Sequence, residues 1–107
     1  MSPRYQLTPS AQGDVDRITD VIAEDSIEAA LRVHDALEEA FRHLAEMPGM
    51  GHTRADLTVR PVKFWSVYSY LVVYDPVSTP LTVIAVLHGA RDIADAQQRW
   101  QDYKRRK

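Results

Sequence analysis

His88 and Arg91, three residues apart, are the pair in this chain that comes nearest to chemistry: an imidazole that titrates close to neutrality and a cation that never loses its charge. Glu46, Arg54, Arg60, Lys63 and Tyr70 complete what acid–base cleavage of a phosphodiester would draw on. Such a reaction needs a base to activate a 2′-hydroxyl, an acid for the leaving oxygen, and fixed cations around a pentavalent phosphate. Scattered from Glu46 to Arg91, these residues form a site only if the fold gathers them. A structural account of the same stretch competes: Gly89 permits an unusual backbone angle between strand and helix, Asp92 caps the helix, and Arg91 pairs with a carboxylate. For Arg91 a third role is open, because an exposed arginine on a turn beside Trp100 has the composition of a protein-binding hot spot.

The elements that must position these residues are two apolar runs rich in β-branched and aromatic side chains, Val67 to Pro76 and Leu81 to Asp92. The residues between them, Asp75-Pro76-Val77-Ser78-Thr79-Pro80, are turn formers except for one valine, so the runs are expected to pair as an antiparallel hairpin. Neither run alternates cleanly, which marks both as central strands with two covered faces. Val59 to Phe64 alternates well enough for a further strand, placed at an edge because Pro61 cannot donate to a ladder. Tyr5-Gln6-Leu7-Thr8 can add a short edge strand.

Thr8 or Ser10 can cap a first helix whose stripe is Ala11, Val15, Ile18 and Ile22, with Asp14, Asp16, Arg17 and Asp20 mostly facing solvent. Asp25 or Ser26 then caps a second helix that runs without Gly or Pro to Pro48, its stripe being Ile27, Ala30, Leu31, His34, Leu37, Phe41 and Leu44. The short connection folds the two back as an antiparallel pair on the sheet. His34 reads as a core or rim histidine. The two glycines of Pro48-Gly49-Met50-Gly51 have neither the preceding strand nor the following Lys-Ser/Thr of a phosphate loop and read as a turn. A short last helix starts at Asp92 and reaches Trp100. The order β, α, α, three strands, α gives an α+β fold in a single domain, residues 1–107.

The totals narrow the function. The chain has 107 residues, 45% hydrophobic and 26% charged, enough for one core. It has no cysteine, which removes disulfides and thiolate chemistry, and neither a cofactor nor a metal is expected. A net charge of -2 disfavours broad attraction to a phosphate backbone, so a protein partner is favoured over bare nucleic acid. The exception is the tail, Lys104-Arg105-Arg106-Lys107, whose plain reading is a solvated end. Met1-Ser2-Pro3-Arg4-Tyr5 lacks the layout of a secretion signal and no apolar run reaches the length of a membrane span, so a cytoplasmic protein is expected.

Tyr5-x-Leu7-x-x-x-Ala11, the turn Pro48-x-Met50-Gly51-x-x-Arg54, the strand Tyr70-x-Val72-x-Tyr74 and the run Val86-Leu87-His88-Gly89-Ala90-Arg91-Asp92, in that order around a helical hairpin, resemble the ParE toxins of the RelE/ParE superfamily. The resemblance implies an α+β toxin that is encoded beside a ParD-like antitoxin in a type II system, serves plasmid stabilization, and holds DNA gyrase in its DNA-cleaved state. RelE members share the fold but cut messenger RNA on the ribosome. In that branch His88, Arg91, Arg60, Lys63, Tyr70 and Glu46 would be the catalytic candidates. RelE-type toxins are similar to one another in being strongly basic, whereas this chain is acidic, so action through protein contacts is the expectation here. A non-toxic interaction module is the third reading.

Two surfaces are expected. Arg91, Trp100, Lys104 and Arg105 form the gyrase-contact candidates. Since the helical pair can bury only one sheet face, the other should be open and apolar, and an antitoxin strand or helix would lie there. Its candidates are Tyr68, Tyr70, Val72, Tyr74, Phe64 and Trp65, together with the outer helical surface; a homodimer across the same surface is the ordinary alternative.

Overall fold

A computed structural model describes residues 4–103, except for the side chains of Ala90, Arg91 and Asp102. The chain runs β1 (Tyr5–Leu7), α1 (Pro9–Asp25), α2 (Ile27–Glu46), a single 3-10 turn (Pro48–Met50), β2 (Lys63–Val67), β3 (Tyr70–Asp75), β4 (Leu81–His88) and α3 (Gly89–Asp102). Both expected caps form: the Thr8 hydroxyl accepts from the Ala11 N–H and the Ser26 hydroxyl from the Ala29 N–H. The four strands lie in the order β1-β4-β3-β2, with β1 parallel to β4 and the other pairs antiparallel. No described helix is long and apolar enough to cross a membrane.

The helical hairpin covers one face. Ala11, Val15, Leu37, Phe41 and Leu44 meet Val72, Tyr74, Val83 and Val86 in the first core. The second face is not open, contrary to expectation. Ala96 and Trp100 of α3, together with Val62, bury Phe64, Val73, Ile84 and Leu87 in a second core, with Ile93 and Leu57 packed at its margin. The last helix is amphipathic and tethered directly to the end of β4, so it folds back onto the nearest uncovered apolar surface. Strand β4 breaks alternation because Val73 pairs with Ala85 and Tyr74 with Val83, leaving Ile84 as an extra, bulged residue. Ile84 and Ala85 therefore both join the second core.

Strand boundaries also shift. The run from Val67 to Pro76 is not one strand: a two-residue turn at Tyr68 and Ser69 joins β2 to β3, with Val67 opposite Tyr70 and Tyr68 at φ 55°. Hairpin turns of that length need positive φ, and Tyr-Ser carries none of the Asn-Gly signal that advertises them. The edge strand accordingly lies at Lys63–Val67 and not at Val59 to Phe64, and Val59 is 95% exposed. The strand lies at an edge of the sheet as expected, but Pro61 precedes it.

Two helical expectations are corrected. Ile27 and Leu31 of the α2 stripe are exposed at 69% and 59%, because burial on α2 starts at Ala30 and concentrates from Leu37 to Leu44, leaving its first turns overhanging the sheet. Asp14, expected in solvent, is 3% exposed. The reason lies in the sheet: β1 ends at Leu7, the Thr8 N–H makes the last main-chain bond to Val83, and β4 continues to His88 with β3 on one edge and no strand on the other. Helix α1 fills that gap, and Asp14 accepts the Val86 N–H at 3.0 Å in place of a strand.

Candidate functional site

The seven acid–base candidates do not converge, and Arg54 donates to Asp56 at 3.0 and 2.8 Å. Tyr70 and His88 are cross-strand partners with ring centroids 4.8 Å apart, and the His88 main-chain N–H donates to Asp92 at 2.9 Å, so Asp92 closes the first turn of α3 from within. Gly89 takes φ 87°, the strained angle foreseen for the strand-to-helix junction. Lys63 pairs with Tyr74 at the opposite end of the β2–β3 hairpin, four residue steps or roughly 13 Å from the Val67–Tyr70 pair. Arg60 donates to the Tyr103 carbonyl at 3.2 Å beside the second core, and Glu46 is exposed at the end of α2. The side chain of Arg91 lies outside the described residues. A proton donor at His88 is thus remote from Lys63.

Of the gyrase-contact candidates, Trp100 is corrected: it is 0% exposed and packs edge-on against Phe64 at 5.7 Å, so it is a core residue and not a surface hot spot. Lys104 and Arg105 lie outside the described residues, as does the Arg91 side chain. Of the antitoxin candidates, Phe64, Val72 and Tyr74 are buried at 2%, 0% and 0%, so no partner reaches them on the folded domain. The remaining three stay accessible. Trp65 and Tyr70 are half-buried at the rim of the first core, Trp65 stacking on His52 at 6.2 Å, and Tyr68 is 68% exposed on its turn. Trp65, Tyr68 and Tyr70 form an aromatic strip at one end of the β2–β3 hairpin, the residue types that dominate protein–protein contact energy.

Two residues that organise these surfaces were not legible as such. Asp14 accepts two bonds from the Arg99 guanidinium at 2.7 and 3.1 Å and one from Arg17 at 2.7 Å, in addition to the Val86 N–H. One carboxylate thereby ties α1, β4 and α3 together beside a polar cleft of about 250 Å³ that Asp92 and Asp95 also line. The available signal was position: Asp14 falls between Ala11 and Val15 on the buried arc of α1. Gly51 is the second. Its N–H donates to the Tyr74 hydroxyl at 2.9 Å, which in turn donates to the Pro48 carbonyl at 2.7 Å. A Cβ on Gly51 would collide with that hydroxyl and sit 2.9 Å from the Phe64 carbonyl. Burial pushes the Tyr74 phenol above its ordinary pKa, the Gly51 N–H opposing this in part.

A family model described as the ParE toxin of the type II toxin-antitoxin system parDE matches residues 5–93. Among solved structures, one described as the chromosomal ParDE TA system from P. aeruginosa is similar over 80% of this chain and 95% of that chain, with a TM-score of 0.66 at 17% identity. Comparison with curated proteins gives no match.

Proposed function

The chain belongs to the ParE toxin family of type II toxin-antitoxin systems, and on that premise we propose that it poisons DNA gyrase by protein contact and is neutralised by a ParD-like antitoxin. The observation that carries the reading is the family match, which runs from β1 through the Gly51 turn and the Gly89 junction into α3. Contact is supported over chemistry by the separation of His88 and Tyr70 from Lys63 along the β2–β3 hairpin. The antitoxin contacts the aromatic strip of Trp65, Tyr68 and Tyr70. The gyrase-facing residues are Arg91, Lys104 and Arg105, and buried Trp100 holds α3 on the second sheet face. The solved structure described as a ParDE system lends support to an antitoxin of the ParD kind.

Expression of the gene alone tests this. The expected outcome is DNA breakage with an SOS response, gyrase trapped on cleaved DNA, and rescue by co-expression of the neighbouring small gene. Arg91→Ala should blunt killing while leaving antitoxin capture intact. Arrest of protein synthesis with cut transcripts, abolished by His88→Ala, would move the protein to the ribonuclease branch. Normal growth would make it a non-toxic interaction module.

A further inference from the structure

The end of α3 borders a hollow of about 80 Å³, lined by Arg60 and Val62 before β2, Asp75 and Val77 at the end of β3, and Trp100 and Tyr103. It shares no residue with the polar cleft beside Asp14 or with the aromatic strip. Trp100 is fully buried, and its indole N–H has no acceptor among the described residues. Buried donors are nearly always matched, so this orphan marks a place where an incoming acceptor gains a hydrogen bond to a donor already stripped of water. Arg60 is half-buried and gives one donor to the Tyr103 carbonyl at 3.2 Å, and a guanidinium carries several more. Asp75 is 3% exposed, accepts the Val77 N–H at 3.0 Å and hydrogen-bonds the Tyr103 phenol; the two oxygens of a carboxylate can take several donors at once. Val77 is 76% exposed, so the hollow opens to solvent beside it.

We infer that this hollow is a binding site for a primary carboxamide, the group that ends asparagine and glutamine side chains and small free amides. The amide oxygen accepts from the Trp100 indole N–H and the Arg60 guanidinium, and the amide NH2 donates to Asp75. Charge decides among ligands of this shape. A carboxylate would meet the same two donors but be repelled by Asp75, and an ammonium would meet Asp75 but be repelled by Arg60. A neutral group that both donates and accepts satisfies all three side chains without burying an unpaired charge. Size points the same way: the hollow is well below the ~300 Å³ of a pocket for a whole drug-sized ligand, so one functional group enters and the rest of the ligand stays outside.

The full chain has two tryptophans, so a proton–nitrogen correlation spectrum follows the Trp100 indole N–H with that of Trp65 as internal control. Propionamide should shift the Trp100 signal saturably, with a midpoint on the order of 10 mM for a ligand of about five non-hydrogen atoms, and leave Trp65 in place. Propionate and propylammonium, of nearly the same shape and opposite charge, should bind at least about fivefold more weakly. Arg60→Ala should raise the propionamide midpoint about fivefold or more with melting little changed. Asp75→Asn keeps an oxygen for the Val77 N–H but removes the charge, and should reverse the preference so that propionate binds better than propionamide. Trp100→Phe, followed through the Tyr103 main-chain amide signal, should weaken propionamide by about fivefold, which checks the site without the indole as reporter. Glutamine blocked at both main-chain ends binding tighter than free glutamine assigns the carboxamide to a protein side chain, and the reverse order assigns it to a free amide; either supports the site. A Trp100 signal that stays still at about tenfold the expected midpoint, moves equally with all three compounds, or moves in parallel with Trp65 overturns it.

Discussion

Asp14→Ala is the perturbation that probes the architecture most directly. The carboxylate is 3% exposed and accepts the Val86 N–H, both Arg99 contacts and the Arg17 contact. Arg17 is 70% exposed and returns to water on truncation, so its share is under about 1 kcal/mol. The Val86 N–H is buried on the edge of β4 that β1 does not reach, and leaving it without an acceptor costs about 1–3 kcal/mol. Arg99, 29% exposed, recovers only part of its hydration. Together these reach about 3–4 kcal/mol, at the lower end of the cost of breaking a buried ion pair. In a chain of this size each kcal/mol moves the midpoint of thermal unfolding by about 4–8 °C, so a fall of at least roughly 12 °C is expected. Urea unfolding followed by tryptophan fluorescence measures it, since Trp100 passes from full burial to water. Asp14→Asn, which keeps the shape and one acceptor, should lose about half as much. A double-mutant cycle with Arg99→Ala should return a coupling on the order of 1–3 kcal/mol. If Asp14→Ala lies within about 1 kcal/mol of wild type, or Arg17→Ala is equally damaging, the carboxylate is not the tie between α1, β4 and α3.

Other perturbations follow from the same geometry. Gly51→Ala should destabilise by about 1–3 kcal/mol by driving a methyl group against the Tyr74 hydroxyl and the Phe64 carbonyl. The penalty should shrink, without vanishing, in a Tyr74→Phe background, which chemical denaturation of the four combinations can show. Trp100→Ala should cost about 3–5 kcal/mol and lose killing in step with unfolding, whereas Trp100→Phe should keep both; a stable but inactive Trp100→Ala would restore it to the contact surface. Stability should fall above about pH 10. Burial raises the Tyr74 and Tyr103 phenols in the folded chain, so the stabilisation is complete below the unfolded value of 10.0 and is lost as pH climbs through the raised folded values. A denaturation series in alkali should therefore decline less steeply for Tyr74→Phe than for wild type. Trp65→Ala, at the rim of the first core, should lower antitoxin affinity by on the order of tenfold or more in a direct titration, with far less effect on melting than Trp100→Ala.

What the sequence determined by itself was whatever depends on near neighbours along the chain. The caps at Thr8 and Ser26, the unbroken α2, the turn-former cluster after Asp75 and the positive angle at Gly89 are local energies, and each element they announce is present. The motifs quoted for the ParE resemblance are of the same kind, residues fixed in order along the chain, and the family match covers most of them. Facing was a different matter. Asp14 turns inward because β1 stops short of the end of β4, and no feature of α1 records the length of a strand it follows. Phe64, Val73 and Trp100 are buried because α3 lands on the second sheet face, a contact between segments more than a dozen residues apart. Tyr68 turns the chain at an angle its side chain disfavours, since pairing Val67 with Tyr70 places flanking apolar residues on their proper faces. Only the assembled sheet decides which side of each element meets another, because burial is a property of two surfaces and a sequence read locally supplies one at a time.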